Sequence, residues 1–215
     1  MLWGFFDESG EHESADAPAE VRGKLKRLTL AGCWASFENW QQFSLEWAAA
    51  LEDAGVFMFH MADFEADQGE FAGWRDTKRA YREAFLSRLL DIMDRYVEGY
   101  AGVSVGLEPA QSFKSAYHAN VEQLFATSRS NGGASLVFAR HPEYSPENLA
   151  LIYEAIALIE SGFASCTVAD PRVTCPLQAA DIVAYELARF QRDKAHQRYP
   201  WRRLTERAVS FRWET

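Results

Sequence analysis

Asp7 and Glu8 are adjacent carboxylates that follow an apolar run (LWGFF, residues 2–6) and precede Ser9-Gly10. Side chains at the end of a buried strand are held firmly and still reach solvent. Carboxylates clustered there need a compensating cation, because like charges drawn out of water cannot all stay ionised. Hard divalent ions such as Mg²⁺ or Mn²⁺ suit oxygen donors. The simpler alternative is a strand followed by a polar turn that Asp7 and Glu8 merely cap. Neighbours on a continuous strand point to opposite faces, so the two carboxylates converge only if the strand ends between them.

A second group lies late in the chain. Gln178 and Asp181 are three residues apart, which places them on one face of a helix, and Leu177, Ala179, Ala180, Ile182, Val183 and Ala184 surround them. An Asp inside so apolar a helix is costly to bury unless it is paired or metal-bound. The alternative is a polar stripe facing water. A third group is His60 and Asp63, which meet if the segment VFMFHMADF is helical. His60 is then a candidate general acid or base near neutral pH, or else a partly buried histidine that docks the acidic stretch around it. The other histidines (His12, His118, His141 and His196) have no ligand spacing and read as surface groups. No phosphate-binding glycine loop, H-E-x-x-H or G-x-S-x-G occurs.

The elements that must position these residues follow from periodicity. Strands are expected over residues 2–6, 27–35, 100–107, 135–139 and 164–169. Residues 11–24 read as a loop, and the acid-rich stretch 53–73 as a second one. Ser36 is a candidate N-cap for a helix carrying Phe37, Trp40, Phe43, Trp47 and Leu51, which Gly55 ends. The stripe Tyr81, Phe85, Leu89, Ile92, Tyr96 predicts a helix over 75–97. Further helices are expected from Pro109 to about 128, over 147–160 with Pro146 at its start, and from 177 to about 194. This order gives an α/β fold, a mixed sheet of about five strands with helices on its faces.

Length, charge and cysteines bound the rest. The chain has 215 residues, which makes one domain the default. Its net charge is −9, but residues 189–215 hold eight basic residues against three acids, so that segment carries +5 and the remainder −14. An acidic body disfavours broad, non-specific DNA binding. The segment from about 195 to 215 is a basic, aromatic extension. Its Tyr199, Trp201, Phe211 and Trp213 either stack on bases or finish the core as a strap whose arginines stay solvated. Three cysteines without C-x-x-C spacing read as buried cytoplasmic thiols. Neither a secretory leader nor a membrane span is expected. A homodimer is compatible with the size, though nothing in the sequence requires it. Seven tryptophans also raise an exposed aromatic interface as a third reading.

The D-E-S-G of residues 7–10 and the P-L-Q-A-A-D of residues 176–181 together resemble a bacterial family described as domain of unknown function 3800. Phe59-His60-Met61-Ala62-Asp63 is similar to that family's F-H-x-x-D segment. The likeness covers nearly the whole chain in order and spacing. It implies a ribonuclease H-like fold and metal-dependent hydrolysis of nucleic acid. In such sites a first-strand Asp anchors two metals about 4 Å apart. Asp7 takes that role here and Asp181 completes the cluster. Glu8 ligates or orients a ligand, Asp63 is a further candidate metal ligand, and Gln178 fixes a carboxylate or contacts a phosphate. The resemblance also leads one to expect a third acid on a central strand, where this chain has Ala139 and Arg140. Glu143 or the Asp63/Glu65 segment substitutes, or the chain is a catalytically inactive nucleic-acid- or protein-binding relative in a mobile-element or defence system.

Overall fold

The computed structural model describes residues 1–12, 25–106, 113–127, 134–140, 165–195, 197–206 and 210–211. The first strand, β1 (Leu2–His12), and the second, β2 (Leu25–Ser36), form a long antiparallel pair from Leu2↔Ser36 to His12↔Leu25. The strand expected to stop at Phe6 therefore runs through Asp7 and Glu8. Backbone pairing with β2 carries these polar residues along, although their side chains resemble those of a turn. Phe5 and Phe6 are both buried on opposite faces, as a strand covered on both sides requires.

Helix α1 (Phe37–Ala54) begins where the Ser36 hydroxyl accepts the Asn39 N–H at 3.3 Å, and ends at Gly55 in the left-handed region (φ 68°). Trp40, Phe43, Trp47 and Leu51 are buried as the spacing predicts, whereas Phe37 stays exposed. The acid-rich stretch read as a loop holds a short helix, α2 (Met61–Ala66). The helix expected over 75–97 is two: α3 (Trp74–Thr77) and α4 (Arg79–Tyr96). Then come β3 (Gly99–Gly106), α5 (Phe113–Thr127), β4 (Ser135–Ala139), β5 (Ser165–Ala169) and α6 (Cys175–Arg192). The basic extension forms α7 (Tyr199–Glu206) and a two-residue strand, β6 (Ser210–Phe211). The helix expected over 147–160 and the loop at 13–24 lie outside the described residues.

The strands form one mixed sheet in the order β5-β4-β1-β2-β3-β6. β1 pairs antiparallel with β2 and β2 with β3, while β4 runs parallel to β1 and β5 parallel to β4. β6, too short to show a period in the sequence, adds a sixth strand parallel to β3. Two cores flank the sheet. On one face α1, α4 and α6 cover Phe5, Ala31, Cys33, Ala35 and Val137. On the other, α5 covers Phe6, Leu28, Leu30, Val103 and Phe138. Helices thus lie on both faces, as expected.

Small residues let α6 lie close to the sheet. A Cβ on Gly102 would sit 2.6 Å from Leu187 Cδ2 and 2.7 Å from the Ala31 Cβ. Both Leu187 and Ala31 are fully buried, and Ala31 has no side-chain rotamer by which to turn aside. Gly102→Ala is therefore expected to cost about 1–3 kcal/mol as an overpacked contact, measured as a drop in the urea midpoint with an unchanged m-value. Wild-type stability in that variant would show that α6 does not rest on β3 here. Four of the six described tryptophans (Trp40, Trp47, Trp74 and Trp201) are buried, so most of this aromatic content builds core, not an exposed interface. Among the described residues, no helix is long and apolar enough to cross a membrane.

Candidate functional site

The parallel pairing of β1 with β4 stops at Phe6↔Phe138, so Asp7 is the first residue of β1 beyond its parallel neighbour. Crevices at the carboxyl ends of parallel strands are where open α/β sheets bind ligands. The Asp7 carboxylate accepts the N–H of Glu8 at 2.8 Å. The strand is regular through both residues, so alternation parts the two side chains, although the charge of Glu8 still acts on the Asp7 carboxyl. The Asp7 carboxyl is held well above the usual carboxylate range, first by burial and then by the charges of Glu8 and Asp181.

Asp181 enters from α6 and is only 7% exposed. Its Oδ2 accepts the N–H of Met61 at 2.6 Å. Met61 opens α2, whose preceding residue His60 provides no side-chain cap, so Asp181 caps that helix from across the core. Burial raises the Asp181 carboxyl above its ordinary range, while the charge of His60 and the Met61 N–H partly offset this.

His60 Nδ1 lies 2.9 Å from Asp63 Oδ2, and both side chains are nearly half exposed. The pair forms because α2 is helical where the sequence left a loop. Burial pulls the imidazole down, but Asp181 and Asp63 outweigh it and hold His60 above its ordinary value. His60 therefore sits at the rim of the carboxylate pair with one nitrogen committed to Asp63.

Gln178 stands behind the site. Its amide oxygen accepts Trp47 Nε1 at 2.9 Å and the Phe59 N–H at 3.0 Å, and its Nε2 donates to the Pro171 carbonyl at 2.9 Å. These bonds tie α1, the approach to α2 and the approach to α6 into one unit. With its oxygen doubly bonded, buried Gln178 acts as a positioning residue for His60 and Asp181. The polar stripe of α6 faces the core, not water.

Of the acids considered as replacements for a third ligand, Glu65 is engaged elsewhere, with Arg198 at 2.6 Å and Arg82 at 3.3 Å, and Glu143 lies outside the described residues. Ala139 is buried in the core. Among the described residues, no three His, Cys, Asp and Glu side chains gather as a metal-holding group. α6 packs against β1, and the charge of Asp181 is felt at Asp7; both groups offer hard oxygen. No Lys or Arg among the described residues forms an ion pair with either. Mg²⁺ commonly takes one or two carboxylates and completes its shell with water and substrate phosphate, so the pair fits such an ion without forming a protein-only cage.

A groove of about 550 Å³ lies along the amino-terminal part of β1 between Trp3, Phe37, Leu45 and Val173. Asp7 and Asp181 do not line it. A residue that sequence reasoning passed over is Glu186, buried on α6 beside the part-buried Arg198 that precedes α7. The available signal was a glutamate inside the apolar run of α6. Comparison with protein-family models and with curated proteins finds no match for the chain.

Proposed function

We propose that the chain is a divalent-metal-dependent phosphodiester hydrolase of nucleic acid on a ribonuclease H-like domain. The observation that carries this reading is that Asp7 of the first strand and Asp181 of the last long helix, which packs against that strand, act on each other electrostatically, with no Lys or Arg among the described residues ion-paired to either. The strand order β5-β4-β1-β2-β3, with β2 antiparallel to its neighbours, supports the fold assignment.

Asp7 and Asp181 are the residues that would hold the ion. A bound Mg²⁺ or Mn²⁺ supplies neutralisation of phosphate charge and a more acidic water. Asp181 also keeps the start of α2 in place through the Met61 N–H, so ion binding and His60 placement share one side chain. Asp63 holds His60 Nδ1, which leaves Nε2 to exchange a proton at the rim of the site. Gln178 keeps the Phe59 backbone, and with it His60, against α6.

The test is calorimetric titration of Mg²⁺ and Mn²⁺ into the wild-type protein and Asp7→Asn, followed by cleavage assays on single-stranded, duplex and hybrid nucleic acids. Wild-type heat that disappears in the variant is expected. Loss of several kcal/mol of transition-state stabilisation corresponds to a rate reduction on the order of 10³-fold. Cleavage that persists in both Asp7→Asn and Asp181→Asn would exclude the assignment.

The second reading, a catalytically inactive binding relative, draws support from Ala139, the buried residue near where a third acid is expected. The basic extension is a less open binding surface than its composition suggested. Trp201 stacks on Phe190 at 4.6 Å, and Arg203 pairs with Asp91 and Asp94. Trp201 finishes the core as a strap does while Tyr199 stays exposed, and Arg198 and Arg203 are ion-paired where solvated side chains were expected.

A further inference from the structure

Glu186 is a carboxylate that the proposed chemistry does not use. It sits on α6, one turn and a half beyond Asp181, and is 1% exposed. Arg198, just ahead of α7, brings Nη1 to 3.3 Å from Glu186 Oε1, but the two are out of hydrogen-bond alignment and both atoms lack a hydrogen-bond partner. The other terminal nitrogen of Arg198 bonds Glu65 of α2 at 2.6 Å. Arg82 of α4 reaches the same Glu65 oxygen at 3.3 Å. The charged groups around Glu186 are thus Arg198 from the C-terminal segment, Glu65 from α2 with Arg82 of α4 behind it, and Arg189 on its own helix, where Tyr185 is also close.

We propose that residues 197–206 form a proton-sensitive strap, closed over Glu186 while that carboxyl carries a proton and loosened as it ionises. A buried carboxylate must be hydrogen-bonded or neutral. Arg198 neutralises it only in part, because its well-aligned bond goes to Glu65. Burial therefore outweighs the attraction of Arg198 and pushes the Glu186 carboxyl up to about 7. The closed state binds the proton more tightly than an open state in which Glu186 meets water. Closure is accordingly strongest at acid pH and is lost as pH rises through neutrality. Trp201 on Phe190 and Arg203 on Asp91 and Asp94 are further attachments of the strap that do not involve Glu186, so its ionisation shifts a population without severing the strap. Opening would withdraw from Glu65 one of the two arginines that steady α2, the helix that carries Asp63.

Hydrogen exchange of the full chain, followed by mass spectrometry at pH 5, 6, 7 and 8, tests this. Rates are divided by the intrinsic rate at each pH, and Glu186→Gln is run beside the wild type. Gln copies the shape of the protonated acid. Wild-type protection over 197–206 is expected to fall with rising pH, by at most on the order of 10²-fold, the ceiling set by ordinary and buried values of 4.5 and about 7. Protection in Glu186→Gln should stay high and flat. Glu65→Gln, which leaves Glu186 titratable but frees Arg198 to align with it, should move the wild-type transition to lower pH. A flat wild-type profile, an equal slope in Glu186→Gln, or a fall shared equally by β1–β3 would overturn the proposal.

Discussion

Asp7→Asn is expected to raise the melting temperature of the metal-free protein at pH 7 while removing its response to Mg²⁺. Asparagine keeps the shape and the oxygen that accepts the Glu8 N–H. It removes a charge that burial, Glu8 and Asp181 all disfavour. Relief of a strained functional position commonly yields about 0.5–2 kcal/mol, and in a chain of this size each kcal/mol moves the melting temperature by about 2–4 °C. The pH dependence fixes the sign. The folded-state value for Asp7 lies above its unfolded value, near 3.9 for an ordinary Asp. Its favourable contribution is therefore fully present below that pH and is lost as pH rises through the raised folded value. Wild type and variant should melt together near pH 3.5 and separate as pH rises, with the variant higher. Calorimetric scans from pH 3.5 to 8 measure the gap. Millimolar Mg²⁺ should then narrow it at neutral pH by stabilising only the wild type. A variant less stable than wild type at pH 7 would mean that Asp7 carries a favourable interaction and not uncompensated charge.

Gln178→Ala is expected to be the most damaging single change near the site. It removes one acceptor from two buried donors, Trp47 Nε1 and the Phe59 N–H, and one donor from the Pro171 carbonyl. Each buried group left unpaired costs about 1–3 kcal/mol, so the two fully buried donors alone imply a loss of about 2–6 kcal/mol in a urea unfolding series. Gln178→Glu should recover part of it, since a carboxylate oxygen still accepts from Trp47 and Phe59. If Gln178→Ala and wild type had equal midpoints, the amide would not be what holds the approach to α2 against α6. Because Asp181 grips the next residue but one, Met61, the same variant should broaden the His60 imidazole signal in NMR spectra. A purely global loss of stability would leave that signal sharp.

The local elements were legible where one physical rule dominates. Ser36 and Gly55 bracket α1, with Trp40, Phe43 and Trp47 at helical intervals between them, and these residues take their conformation from neighbours in the chain. The expected helix starting near residue 177 likewise appears as α6, with Pro176 in its first turn.

Other features depended on partners distant in sequence. Asp7-Glu8-Ser9-Gly10 has turn-like composition, yet antiparallel pairing with β2 keeps it in a strand to His12. The short α2 is too weak to stand alone, and Asp181 of α6, more than a hundred residues away, caps its start. The sequence suggests that Gln178 fixes a carboxylate or contacts a phosphate, whereas in the fold its hydrogen bonds go to Trp47, the Phe59 N–H and the Pro171 carbonyl, three partners from separate segments. The fate of the basic extension followed the same rule. Composition set its charge, whereas docking of α7 against α6 and α4 determined that Arg198 and Arg203 meet acids of the body. Periodicity and capping act over a few residues, so the chain encodes them openly. Hydrogen-bond partners, burial and the proton affinities that follow from them come from packing between elements, which only the folded structure brings together.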